Sequence, residues 1–183
     1  MHPADNSFMN QQIAPLLVEL YLERAHIVGI CREVQERRRL IDVLNHQGET
    51  LELEDARVSL GNGVTKEFET LNVQKSSILA AIPRETDQQS RRRAIMTNVA
   101  GKQETRQMSL TLVLPPLSVE GVAHVPPGAG ATSIKAFTKF FSLTGATLSM
   151  AGNADRELEV IFVSRDQVMA LSEAAAPKVA QAI

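Results

Sequence analysis

Apolar and polar residues alternate along this chain in short runs, and the runs recur in the same order. In LVELYLERAHIVGI the apolar positions Val18, Leu20, Leu22 and Ile27 lead to Gly29, and in LTLVLPPLSVEGV the positions Leu110, Leu112, Leu114 and Val119 lead to Gly121 at the same internal spacing. A second block, LELEDARVSL with Leu51, Leu53, Ala56, Val58 and Leu60, is matched by FSLTGATLSM with Phe141, Leu143, Ala146, Leu148 and Met150. A third, LNVQKSSILAAI, is matched by IFVSRDQVMALS through Leu71 with Ile161, Val73 with Val163, Lys75 with Arg165 and Ile78 with Val168. Period-two alternation predicts strands with one face buried. Any two strands share that period, so the weight rests on three blocks that agree in order and spacing, with separations of 92 residues at Gly29/Gly121 and 90 at Ala56/Ala146. The sequence is therefore read as two diverged copies of one small β-rich module.

Between the first and second blocks the period changes. In QERRRLIDVLN the apolar residues Leu40, Val43 and Leu44 fall at i, i+3 and i+4, which predicts a short helix. The matching stretch TSIKAFTKFF opens with Thr132 and Ser133 as capping residues and sets Ile134, Phe137 and Phe141 at helical spacing, which predicts a second one. The fold expected is α+β, mainly β: two tandem curled sheets or partial barrels, each with one short helix. Residues 15–84 form the first module, 85–106 a polar linker and 107–172 the second. The first dozen residues carry no anchoring pattern, and Pro177 divides the alanine-rich tail.

Composition narrows the function classes. The 183 residues are 44% hydrophobic with net charge −2, enough apolar material for one core or two small ones and no broad positive field for nucleic acid or anionic membrane. No apolar run reaches bilayer-spanning length and the start MHPADNSFMNQQ lacks a signal-peptide pattern, so the expected location is the cytoplasm, with no membrane partner. A single cysteine, Cys31, supports neither a disulfide framework nor a cysteine-based metal site.

Candidate chemistry is sparse. PPGAGATSIK runs from Gly128 and Gly130 toward a helix start, but it has no lysine after Gly130 as a P-loop requires and no third glycine, so it reads as a capped turn. His2, His26, His46 and His124 show no metal-ligand spacing, and Cys31 beside Ile30 reads as a buried inert thiol. Glu52 and Glu54 alternate with Leu51 and Leu53, as on the solvated face of a half-buried strand. No metal, cofactor or catalytic residue is expected. The ligand-binding candidates are two arginine runs, Arg37, Arg38 and Arg39, compensated by Glu33 and Glu36, and Arg91, Arg92 and Arg93, in a segment with net charge +2. With no Trp and only Tyr21, base stacking is poorly supplied, so nucleotide or nucleic-acid binding is the second reading. The interaction-surface candidates are Phe137, Phe140 and Phe141, a cluster too large for one face of a small helix, which either docks a partner or fills the contact between the two modules.

Gly29, Arg39, Leu40, Asp42, Leu44, Asn45, Asp55 and Ala56 stand in a pattern that resembles a short bacterial domain family of unknown function, with a strand ending in glycine, a segment R-L-x-D-x-L-N and a strand ending in D/E-A. The resemblance covers about a third of the chain, and the second module keeps only Gly121 and Ala146. It implies a bacterial β-rich module and no activity. The D/N-x-S-x-x-G motif of PilZ-type cyclic-dinucleotide receptors is absent from the chain. The expectation is thus a non-catalytic interaction or regulatory module that meets a protein partner, or a second copy of itself, through one module, the other being structural.

Overall fold

The computed structural model describes residues 16–34, 39–84, 105–128 and 138–173. These comprise β1 (Leu16–Leu22), β2 (Ala25–Cys31), α1 (Leu40–Asn45), β3 (Thr50–Leu60), β4 (Thr65–Gln74), β5 (Ile78–Arg84), β6 (Arg106–Leu114), β7 (Leu117–Val125), β8 (Phe140–Met150), β9 (Arg156–Ser164) and β10 (Ala170–Glu173). The strands form one antiparallel sheet of ten, in the order β10-β6-β7-β8-β9-β5-β1-β2-β3-β4. Its two ends do not meet.

Each strand follows from its alternation. In β1, Leu16, Val18 and Leu20 are buried on one face, as in β6 are Met108, Leu110, Leu112 and Leu114. The third sequence block becomes two strands instead of one in each half. The turn Lys75–Ser77 separates β4 from β5, and Arg165–Gln167 separates β9 from β10. Both turns are held alike, with the Lys75 N–H donating to the Glu49 carbonyl at 2.7 Å and the Arg165 N–H to that of Lys139 at 2.8 Å.

The strand order β5-β1-β2-β3-β4 of the first half is repeated as β10-β6-β7-β8-β9 in the second. The registers repeat too. Val18 faces Gly29 as Leu110 faces Gly121, Leu53 faces Leu71 as Leu143 faces Ile161, and Tyr21 faces Ala80 as Val113 faces Ala170. The β2–β3 ladder shifts register between Val28 and Ile30, and the β7–β8 ladder does so between Glu120 and Val122. At these shifts the backbones come so close that a Cβ on Gly29 would lie 3.1 Å from Leu53 Cβ and 3.2 Å from Ala56 Cβ; one on Gly121 would lie 3.1 Å from both Ala146 Cβ and Leu143 Cβ. Opposite, the chain turns left-handed at Asp55 (φ 46°) and Gly145 (φ 53°).

The halves join where β5 pairs with β9 through Ala80↔Val163 and Ala81↔Phe162. This antiparallel junction places the two cores on opposite faces of the sheet. The first-half core takes Val18, Leu20, Leu51, Leu53 and Ala81 with Leu40, Val43 and Leu44 of α1, whereas the second-half core takes Leu110, Leu112, Val119, Leu143 and Ile161 with Ala80. The junction is consequently buried on both faces, and Ile78 through Ile82 in β5 and Ile161 through Ser164 in β9 are all buried. At this junction the edge of each half-sheet contributes to its neighbour's core. Tyr21, Leu79 and Ile82 belong to the second-half core; Phe140 and Phe162 belong to that of the first.

The helix expected from TSIKAFTKFF is corrected at its end. Phe140 and Phe141 open β8, because their neighbours across the ladder, Ser164 and Val163, draw them into the sheet and one phenylalanine enters each core. Thr138 and Lys139 are not helical, and residues 132–137 of that prediction lie outside the described residues, as do the stretches 1–15, 35–38, 85–104, 129–131 and 174–183.

Candidate functional site

Two places in the sheet gather side chains that ordinary strand packing does not require. The first is a polar cluster at the junction. Glu19 sits on the face of β1 opposite Val18 and Leu20, where an isolated sheet would meet water, yet only 2% of it is exposed because the second half covers that face. A buried carboxylate is stable when paired and hydrogen-bonded. Glu19 Oε1 accepts from the Tyr21 hydroxyl at 2.9 Å and from Arg156 Nη1 at 2.7 Å, and it lies 2.7 Å from His26 Nε2. Oε2 accepts from Arg84 Nε at 2.8 Å and Arg156 Nη2 at 3.1 Å. Arg156 also bonds the Tyr21 hydroxyl, and the Tyr21 and His26 rings lie 4.7 Å apart.

Burial pushes the Glu19 carboxyl up, but the bonds from His26, Arg156 and Tyr21 and the charge of Arg156 outweigh it, holding the group well below the usual carboxylate range. Burial, with the Glu19 charge and hydrogen bond, pushes the Tyr21 hydroxyl up to about 12. The Glu19 hydrogen bond holds the Arg156 guanidinium above its ordinary value despite burial. With both oxygens occupied by these partners, Glu19 has no lone pair directed at a substrate and is too weak a base for proton abstraction near neutrality. Its chemistry is to fix β1 against β9. A second tie between the halves lies on the other face, where the Asn45 side chain at the end of α1 donates to the Phe140 carbonyl at 2.9 Å and accepts from the Phe140 N–H at 2.8 Å.

The second place is an apolar end of the second half. Val113, Pro115, Pro116, Leu117 and Met150 line a shallow, open depression of about 500 Å³ between the β6–β7 and β8–β9 turns. Met169, whose N–H donates to the Val113 carbonyl at 2.9 Å, stands beside it with 73% of its surface exposed.

The expected site residues fall elsewhere. Arg39 is exposed, and its backbone N–H and guanidinium both hold Asp42, at 3.1 Å for the backbone and 3.1 and 3.0 Å for the side chain, which starts α1. That bond raises the Arg39 pKa. Arg37, Arg38, Arg91, Arg92, Arg93 and Phe137 lie outside the described residues. Phe140 and Phe141 are buried, at 0% and 7% exposed, and the exposed docking surface expected of them is corrected. Phe140 enters the core of the first half and Phe141 that of its own half, so one of the two takes the other role their clustering suggested, filling the contact between the halves.

Lys75 is buried and donates from Nζ to the carbonyls of Val43 at 2.7 Å and His46 at 3.4 Å, closing the last turn of α1; burial lowers its pKa. Cys31 is buried, and desolvation raises its thiol pKa, which leaves it unreactive. Among the described residues no group of three His, Cys, Asp or Glu side chains converges as a metal site. No helix among them is long and apolar enough to cross a membrane. Sequence reasoning missed the Glu19 cluster, since Glu19 and Tyr21 alternate with apolar neighbours as on any solvated face. The one available signal was that this face also carries a tyrosine.

No protein-family model, curated protein or solved structure matches the chain.

Proposed function

We propose that this chain is a non-catalytic interaction module, built from two diverged copies of one five-stranded unit, that meets a protein partner through its second half while the first half is structural. The repeated strand order, the paired register shifts at Gly29 and Gly121 and the shared left-handed position at Asp55 and Gly145 support the duplication. Each residue of the R-L-x-D-x-L-N pattern in the first half has a structural task. Arg39 and Asp42 start α1, Leu40 and Leu44 enter the core, and Asn45 ties α1 to β8. A motif occupied by folding leaves little for catalysis.

The observation that carries the reading is the apolar end formed by Val113, Pro115, Pro116, Met150 and Met169. Exposed apolar surface gathered around a concavity marks contact sites on soluble domains. The test places a photo-crosslinking residue at Met169 or, as a control at an exposed apolar position of the first half, at Val64. After irradiation in the source cells, a protein adduct of one defined mass is expected from the Met169 position and not from Val64. Absence of an adduct at Met169, or equal adducts at both positions, would overturn the proposal.

A further inference from the structure

Resting on that reading, we propose that the partner binds by strand addition, laying an extended antiparallel segment of apolar residues along the free edge of β10. The model for this contact lies within the chain itself. At the junction, β5 receives β9, and the residues beside it on the second-half face, Tyr21 and Leu79, are buried by the contact. By register, the positions corresponding to Tyr21, Leu79 and Ala80 are Val113, Met169 and Ala170. Val113 and Met169 are apolar like their counterparts but exposed, at 37% and 73%, and among the described residues no strand follows β10 in the sheet. The second half thus carries the receiving side of the junction without the strand that fills it.

The β4 edge of a second copy does not supply that strand. The strand corresponding to β9 is β4, and where β9 presents Val160 and Phe162, β4 presents Thr70 and Asn72; where β8 presents Phe140, β3 presents Thr50. The apolar side chains that a docking strand inserts into its neighbour's core are therefore replaced by polar ones. The exposed run of β4 also carries Lys66, Glu67 and Glu69, charges that oppose edge-to-edge pairing. β4 thus carries charges along its exposed run, whereas β10 begins next to Met169 with Ala170 and Leu171 and bears its charge only at its end, on Glu173, which pairs with Arg106. The occupant is a different chain with a β9-like segment, whose backbone pairs with β10 and whose apolar side chains cover Val113 and Met169. Pairing of only two residues joins β5 to β9, so the four residues of β10 are long enough.

The probe is a fluorescent synthetic peptide with the nine-residue β9 sequence, Arg156–Ser164, titrated with the intact chain by anisotropy. Saturable binding is expected, weakened at least tenfold by the double change Met169→Lys, Ala170→Lys and by Val113→Lys alone, with no effect of Phe68→Lys on the β4 edge. A peptide of the β4 sequence, Thr65–Gln74, is expected not to bind. Thermal melts establish that the variants are folded, and a variant that fails this control is replaced by Met169→Glu. No binding of the β9 peptide, binding indifferent to the β10 changes, or binding lost equally with Phe68→Lys overturns strand addition. So does self-association of the chain that the β10 lysines abolish, which would make a second copy the occupant. If the Met169 adduct forms while the peptide fails, strand addition falls and the interaction reading stands; if the adduct is absent, that reading falls first.

Discussion

At the residue scale, the two halves agree wherever the backbone leaves no choice. Gly29 and Gly121 are matched because each strand passes within Cβ contact of an alanine and a leucine on the next strand, and those partners, Ala56 with Ala146 and Leu53 with Leu143, are matched as well. This is why the likeness of the two halves was legible in the sequence at these positions. Asp55 and Gly145 share a left-handed conformation through different residue types, and identity could not reveal that. Replacing Gly121 by Ala forces a methyl group against Ala146 and Leu143 and is expected to destabilise the fold by about 1–3 kcal/mol. Gly61→Ala, whose nearest neighbour would be 3.8 Å away, is expected to change stability by less than about 0.5 kcal/mol. Urea denaturation of the two variants checks the contrast.

At the element scale, eight of the strands and α1 were legible from their periods, but the division of the third block into β4 and β5, and into β9 and β10, was not, nor were two further features. Helical spacing at Ile134, Phe137 and Phe141 suggested a helix reaching into the residues that open β8. Two adjacent phenylalanines satisfy a strand equally well when both of its faces are buried, as they are here. Glu19 and Tyr21 read as a solvated face because the element that covers them, β9, lies 137 residues away in sequence. The cluster gives β1 a pH dependence whose sign follows from its partners. The folded-state pKa of Glu19 lies below the ordinary 4.5, so its stabilisation is complete above that value and is lost as pH falls toward the folded pKa. Glu19→Gln is expected to destabilise by about 2–4 kcal/mol near neutrality, since it leaves two arginines facing an uncharged group in a largely buried site. The gap between wild type and variant, followed by thermal melts from pH 8 to pH 3, is expected to stay level down to about pH 5 and to narrow below it.

At the scale of the whole molecule, two modules were expected, but the structure joins them in one sheet whose cores lie on opposite faces. Nothing in either half's alternation announces this, because it depends on the pairing of β5 with β9, two segments that are distant in sequence. That pairing spans only two residue pairs, yet it is supported by the Glu19 cluster, the Asn45 tie to Phe140 and the exchange of Phe140 and Phe162 for Tyr21 and Leu79 between the cores. The junction is thus expected to be the best protected part of the sheet, and among the described residues β10 and β4 are its outer strands. The partner contact proposed for β10 depends on that division.

Native-state hydrogen exchange read by mass spectrometry tests it most directly. The account expects peptides covering Ile78–Ile82 and Ile161–Ser164 to exchange among the slowest in the chain, in a single opening that takes both halves together, while peptides of β10 and of Thr65–Thr70 in β4 exchange much faster. Fast exchange at the junction, with each half opening at its own rate, would contradict it.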